Sequence, residues 1–417
     1  MSKEHPLGLS RRDLVKAGSA ASVLVATNLA APFIRTAAAA DSVKIGMVWA
    51  KTGPASEQGE FLAKGGYLAL EERNNTLLGR PAEIIWLDEP HPAGAQQNTQ
   101  RLIDEHKVVA LTGGAFSATA LAISAVVKRA QIPFVASNAA AADLTGKLCN
   151  PYTFRLQPAV DIQAKSLAPY ALNLGKKWYL ITPDYAFGQD VHNAFNSYNQ
   201  ANGGTVVGAD AVPTATSDYS SYILKIRQAR PDVVISGLAG ADMIAFFKQW
   251  AELGMKGRIP ICQMSPGDTE IWGLGPQVAT GIHSKTWYFN NPANSEDDKK
   301  FAASFLKKHG QPAPDKAWMG YFGMRTLLTA IETAKSTEPK AIARGLLDWH
   351  QNDGDLRMRY RDFDHQMIRR TLICEVKPTI TDKWDMLDVK AALPGPAAEV
   401  EAAFGSASDS ACKMDPA

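Results

Sequence analysis

The chain of 417 residues has almost no excess of either charge: 44 Lys and Arg stand against 42 Asp and Glu, a formal net charge of +2. Nucleic-acid binders carry a basic excess, so that class is excluded. Cysteine is scarce, four residues with no CxxC pair, which argues against structural zinc and against a disulfide scaffold. The histidines show no H-x-x-x-H spacing, and no G-x-S-x-G nucleophile elbow occurs. Gly113-Gly114 is followed by Ala115-Phe116-Ser117, with neither GxGxxG nor a phosphate-binding lysine. Enzyme chemistry therefore has no motif behind it, and neither a metal nor a cofactor is expected. What is present is ordinary globular composition, 46% hydrophobic and 21% charged, over a length sufficient for two domains or more.

Residues 1–40 read as an export signal rather than as part of the fold. Arg11-Arg12, with Leu14 and Lys16, has the twin-arginine spacing. A weakly apolar stretch over 17–31 follows, then the small residues Ala38-Ala39-Ala40. Ser19, Ser22, Thr27 and Asn28 interrupt that stretch, which falls short of the ~20 strongly apolar residues of a membrane span. Tat export, a mature chain beginning near Asp41 and a periplasmic location are expected. The signal carries five basic and two acidic residues, so the remainder has a net charge of −1. An oxidising compartment permits disulfides.

From Asp41 onward, short apolar runs alternate with helical periodicity. Strands are expected at 43–49, 83–88, 108–112 and 132–137, with helices over 57–74, 93–106 and 117–129 between them. The scheme repeats with strands at 177–182, 205–208, 233–236 and 259–263 and helices over 188–202, 219–229 and 242–253. Such alternation means parallel sheets covered on both faces, here two similar α/β lobes with a break around 155–161. Beyond a segment at 285–289 come long helices, 295–309 and 316–335. A Pro/Gly/Ala-rich tail after Leu393 is expected along the surface. Asp353-Gly354-Asp355 lacks the alternating ligands of a calcium loop and reads as a turn. Arg357-Met358-Arg359-Tyr360-Arg361 reads as a solvated strand edge.

Ligands of parallel sheets bind where strands end and helices begin. Gly113–Thr119 is one such junction, with Ser117 either a helix cap or a carboxylate contact supported by first-turn N–H groups. Asn138, at the next strand end, either caps its turn or faces a ligand. Thr182-Pro183-Asp184-Tyr185-Ala186-Phe187-Gly188 presents two aromatic rings. Gly237–Asp242 places an acid at a helix start, again a cap or a ligand contact.

In this order and spacing, Ile45-Gly46-Met47, Thr52-Gly53-Pro54, Gly113–Ser117, Ser137–Ala142 with Asp143-Leu144-Thr145, Asp184–Gly188 and Gly237–Asp242 resemble a known family. The chain is similar to the extracytoplasmic solute-binding proteins of ABC importers, of the branched-chain amino-acid (Leu/Ile/Val) type with the type I periplasmic-binding fold. The resemblance runs over 41–389. It implies two doubly wound parallel-sheet lobes joined by a three-strand hinge: lobe 1 from 41–157 plus 287–357, lobe 2 from 158–286 plus 358–395, and a tail over 396–417. It implies no enzyme activity, a small carboxylate bound between the lobes, hinge closure, and permease and ATPase partners for a soluble monomer. By position it implies a carboxylate-binding Ser117, further contacts at Asn138 and Ala140, an aromatic clamp at Tyr185 or Phe187, and an ammonium-pairing acid at Asp242. Ala140 lacks a hydroxyl common there, and Gln58 replaces a common aromatic wall. Trp49, Phe116, Tyr185 and Phe187 would suit an aromatic ring. Cys149 and Cys412 are expected to bond, leaving Cys262 and Cys374 free, although the sequence itself leaves three pairings open. The rival readings are a Tat-exported enzyme and a ligand sensor built on the same fold.

Overall fold

The computed structural model describes residues 41–414, Pro54 and Pro394 excepted, so the export-signal reading lies outside the described residues. Strand β1 (Val43–Val48) is buried on both faces, as its unbroken apolar run requires. After helix α1 (Ser56–Glu71) come the short β2 (Thr76–Leu77), β3 (Arg80–Leu87) and α2 (Pro92–Asp104). Next follow β4 (Ala110–Gly113), α3 (Ser117–Ala130), β5 (Phe134–Ala136) and β6 (Thr153–Arg155). These strands form one sheet in the order β2-β3-β1-β4-β5-β6, parallel except for the β2–β3 pair.

The second sheet starts with α4 (Val160–Leu174) and β7 (Lys177–Pro183), then α5 (Ala186–Ala201), β8 (Thr205–Val212), α6 (Ser220–Ala229) and β9 (Val233–Ser236). It continues through α7 (Gly240–Glu252), β10 (Ile261–Gln263), α8 (Asp268–Leu274) and β11 (Ile282–Lys285). The chain then returns to the first lobe with α9 (Glu296–His309), α10 (Asp315–Ala334) and α11 (Pro339–Asp348). A three-stranded sheet follows, made of β12 (His350–Asp353), β13 (Leu356–Tyr360) and β14 (Met367–Ile368). Finally β15 (Thr371–Val376) and β16 (Leu387–Leu393) join the second sheet, and α12 (Ala397–Phe404) follows. The second sheet runs β16-β15-β11-β10-β9-β7-β8, and its β11–β15 and β15–β16 pairs are antiparallel. The expected pair of α/β lobes is therefore present, with an antiparallel edge that an all-parallel reading omits.

Helix α10 is buried around most of its circumference, which suits a helix wedged between α1 and the first sheet. Two glycines permit that fit. A Cβ on Gly65 would lie 1.9 Å from the Ala317 carbonyl oxygen, and one on Gly320 would lie 1.9 Å from that of Leu62. The two backbones meet with no side chain between them, and the first turn of α10 is thereby set at the edge of the cleft.

The chain passes between the lobes three times. Arg155 ends β6 in the first sheet, and Val160 packs in the second lobe. Lys285 ends β11 in the second sheet, and Trp287 packs in the first core. Ile368 packs in the first core, and Leu372 in the second.

Strand β13 lies between β12 and β14, so the arginine-rich segment is not the sheet edge expected. Arg359 pairs with Glu401, and Arg361 is buried against Asp364. Nor does the chain after Leu393 merely follow the surface: Val400 and Phe404, one helical turn apart on α12, are buried in the first-lobe core. Cys149 and Cys412 form a disulfide between the segment after β5 and this C-terminal stretch, and Cys262 and Cys374 are free and buried. Asp353-Gly354-Asp355 forms the β12–β13 turn, with Gly354 at φ 60° and both acids on Arg370. No described helix is long and apolar enough to cross a membrane.

Candidate functional site

A cavity lies between the lobes where strand ends meet helix starts. The space measures about 510 Å³. Three helices begin against it: Phe116 and Ser117 at the start of α3, Tyr185 and Phe187 at α5, and Ala239 at α7. The first turns of α3 and α5 carry no side-chain cap, whereas Glu270 takes the Gly240 N–H that opens α7. The N–H groups and positive dipole ends of α3 and α5 therefore give the cavity an anion-favouring character.

Ser117 is the first residue of α3 rather than its cap, and its Oγ accepts a hydrogen bond from the Ala141 N–H at 3.1 Å. Its hydroxyl proton stays available to an acceptor. Asn138 donates from Nδ2 to the Ala115 carbonyl at 2.7 Å and accepts at Oδ1 from Lys316 Nζ at 3.0 Å. Ala140 lines the cavity and supplies no side-chain donor. Tyr185 and Phe187 both face the space, their rings stacked at 6.2 Å and 27°. Gln58 closes one wall and donates from Nε2 to Glu270 Oε1 across the cleft at 2.6 Å.

Two sequence-derived candidates stand elsewhere. Trp49 is fully buried in the first-lobe core and does not line the cavity. Asp242, in the first turn of α7, also does not line it; its Oδ2 accepts from the Ala215 N–H at 3.1 Å. Burial holds the Asp242 carboxyl above its usual range.

The charged groups of the cavity were not legible beforehand: Glu270 from α8 and Lys316 from α10, each 4% exposed. Glu270 Oε1 accepts from Gln58 and from the Gly240 N–H at 2.7 Å, and Oε2 accepts from the Gly267 N–H at 2.7 Å. Burial raises its pKa, opposed by the Lys316 charge. With three donors already bound, Glu270 has little capacity left. Lys316 differs. Among the described residues its ammonium makes one hydrogen bond, to Asn138, with Asp315 at 3.7 Å. At least one of its three donors is uncommitted, which makes it the free charge of the cavity. Gln157, on the first passage between the lobes, and Ser265, just after β10, complete the wall.

Glu89 carries a further signal missed in the sequence. It is buried, and its carboxylate accepts from the Gly114 and Ala115 N–H groups at 3.1 and 2.6 Å. The Gly113-Gly114 turn is thus held by a side chain of the protein itself. Burial pushes the Glu89 carboxyl well above the usual range, and those two N–H groups pull it back only in part.

Residues 42–382 match the family model described as periplasmic binding protein. The Leu/Ile/Val-binding protein homolog 6 of Brucella melitensis is 29% identical over 320 residues, covering 74% of this chain and 80% of that protein. A periplasmic binding protein from Burkholderia mallei superposes with a TM-score of 0.81 at 25% identity, covering 89% of this chain and 99% of the other. The same fold, at TM-score 0.77 and 20% identity over 84% of this chain and 96% of the other, occurs in an ABC-transporter solute-binding protein from Rhodopseudomonas palustris solved with 3,4-dihydroxy benzoic acid. With its two α/β lobes, three passages and interlobe cavity, the chain belongs to the periplasmic binding protein family and has the type I fold of that family.

Proposed function

We propose that this protein is the substrate-binding component of an ABC importer, exported by the twin-arginine pathway to the periplasm as a soluble monomer. It captures a small carboxylate between its lobes, closes over it, and delivers it to a membrane permease driven by an ATPase. The observation that carries the reading is the Lys316 ammonium, with a donor to spare, in one cavity with Ser117 and the uncapped start of α3. A carboxylate there meets a cation, a hydroxyl and helix N–H groups, while Tyr185 and Phe187 cover its apolar portion. Relatives named for leucine, isoleucine and valine, and a fold neighbour holding an aromatic acid, support the carboxylate class.

Closure follows from hydrogen bonds that join the lobes. Gln58 meets Glu270, and the Ala142 N–H donates to Asp190 Oδ2 at 3.0 Å. A ligand shifts the population toward this arrangement in proportion to the contacts it makes only there. We place the lobe division at the three passages, near 156–159, 286 and 369–370, which moves 358–368 from the expected lobe 2 to lobe 1, whose core includes Met358, Tyr360, Met367 and Ile368. A micromolar Kd corresponds to roughly −8 kcal/mol, which one charge-assisted clamp and a buried ring can supply. A thermal-shift screen against branched-chain amino acids, aromatic carboxylates, short amides and urea tests the proposal. Stabilisation by a carboxylate is expected, and stabilisation by amides or urea alone would overturn it.

A further inference from the structure

Up to β16 the chain passes between the lobes three times; the segment after it crosses once more. Leu393 ends β16 in the second sheet, paired with Thr371, where the third passage enters that sheet. Ala397 then opens α12, whose Val400 and Phe404 are buried in the first-lobe core. Polar contacts hold α12 on the same lobe. Glu401 pairs with Arg359 at 2.7 Å, Arg361 Nη1 donates to the Phe404 carbonyl at 2.7 Å, and the Ala397 N–H donates to Asp355 Oδ2 at 2.9 Å. The stretch beyond is bonded through Cys412 to Cys149, which lies between β5 and β6 of the first sheet.

This connection runs against the third passage and over the seam between the lobes. Arg370 Nε donates to the Gly395 carbonyl at 2.8 Å, and its Nη1 donates to the Asp353 carbonyl of the first lobe at 2.6 Å. On the other side, Lys165 Nζ of the second-lobe helix α4 donates to the Ala403 carbonyl at 2.7 Å. An extended residue advances about 3.5 Å, so the chain from Leu393 to Ala397 spans at most roughly 14 Å. Helix α12 has eight residues, too few to persist without packing, and the disulfide keeps its far end on the first lobe. We propose that the C-terminal segment is a fourth hinge strand, a strap that limits how far the lobes open, with its end fastened by the Cys149–Cys412 bond. The lobes part only as far as the 393–397 connection reaches.

A Gly/Ser linker of about ten residues, inserted between Gly395 and Pro396, adds a reach of roughly 16–19 Å and leaves α12 and the disulfide in place. The same linker between Asp409 and Ser410 adds equal mass where both ends belong to the first lobe. Small-angle X-ray scattering of the ligand-free proteins should give a larger radius of gyration for the first insertion than for the second. Hydrogen exchange at the Ala142 amide, whose acceptor Asp190 lies on the other lobe, should be faster in the first insertion only. C149S/C412S should shift both readouts in the same direction, and if it does not fold the two insertions carry the test. The proposal is overturned by equal radii for the two insertions, by Ala142 exchange unchanged in the first, or by a folded C149S/C412S protein that matches the wild type in both readouts.

Discussion

Replacing Lys285 by methionine should destabilise the protein strongly and in a pH-dependent way. The Lys285 side chain is fully buried at the second interlobe passage, with Nζ 2.7 Å from Asp268 Oδ1, 3.2 Å from Asp315 Oδ2 and 2.8 Å from the Pro266 carbonyl. The two acids also lock the starts of α8 and α10 to each other. The Asp268 N–H donates to Asp315 at 3.0 Å, and the Asp315 N–H donates to Asp268 at 2.7 Å. Methionine retains the volume and removes the cation, leaving two carboxylates facing each other in a buried space. Breaking a buried ion pair this way costs about 3–5 kcal/mol. In the wild type, burial pushes Asp268 up to about 6 against the pull of Lys285; burial also acts on Asp315, but Lys285 and Lys316 outweigh it and hold that carboxyl low. Without the ammonium both folded-state pKa values rise above those of the unfolded chain. The folded state then binds more protons between roughly pH 4 and the raised values, so stability climbs as pH falls through that window and is lowest above it. Urea denaturation read by tryptophan fluorescence from pH 5 to pH 8 should show the largest deficit at pH 8, shrinking by up to about 1.4 kcal/mol per pH unit for each proton bound. D268N in the K285M background should restore part of the loss. A deficit below about 1 kcal/mol, or one constant across this range, would refute the buried-charge account.

Serine 117 supplies a hydroxyl to the cavity, so S117A should weaken binding about 5–30-fold by calorimetry, with a smaller stability loss from the freed Ala141 N–H. Truncating Tyr185 to alanine removes one of two stacked rings and should weaken an aromatic ligand by more than about 0.5–1.5 kcal/mol, the aromatic-pair share alone. The Cys149–Cys412 bond spans 263 residues of sequence, and reducing it, or the C149S/C412S double variant, should lower unfolding free energy by about 2–4 kcal/mol. Thiol titration of the unreduced denatured protein should find Cys262 and Cys374 only, and four reactive thiols would contradict the pairing.

The repeating strand–helix pattern was readable because parallel strands buried on both faces are continuous apolar runs, as 43–49 and 233–236 show. Strands β15 and β16 escaped that reading, since their antiparallel addition depends on a return of the chain that no local period records. Seven of the nine candidate side chains, those following a strand end or opening a helix, do line one cavity: Gln58, Phe116, Ser117, Asn138, Ala140, Tyr185 and Phe187. Trp49 lies just past the end of β1, where the two-residue alternation no longer fixes the side-chain direction, and it enters the core. Glu270 and Lys316 were invisible for another reason. Glu270 bonds to Gln58 across 212 residues of sequence, and Lys316 reaches Asn138 across 178. In sequence one is an acid in a short helix and the other a lysine at the start of an amphipathic one. Only the packing of α1 against α10, through Gly65 and Gly320, brings the lysine to the cleft.

Titration calorimetry of wild type and K316M with paired ligands, benzoate against benzamide and L-leucine against L-leucinamide, tests the binding account most directly. The account predicts micromolar binding of at least one carboxylate, at least tenfold weaker binding of its amide, and a loss of about 10–150-fold in K316M, the range for a hydrogen bond to a charged group. An amide bound as tightly as its acid, or a K316M protein that binds the acid as the wild type does, would contradict it.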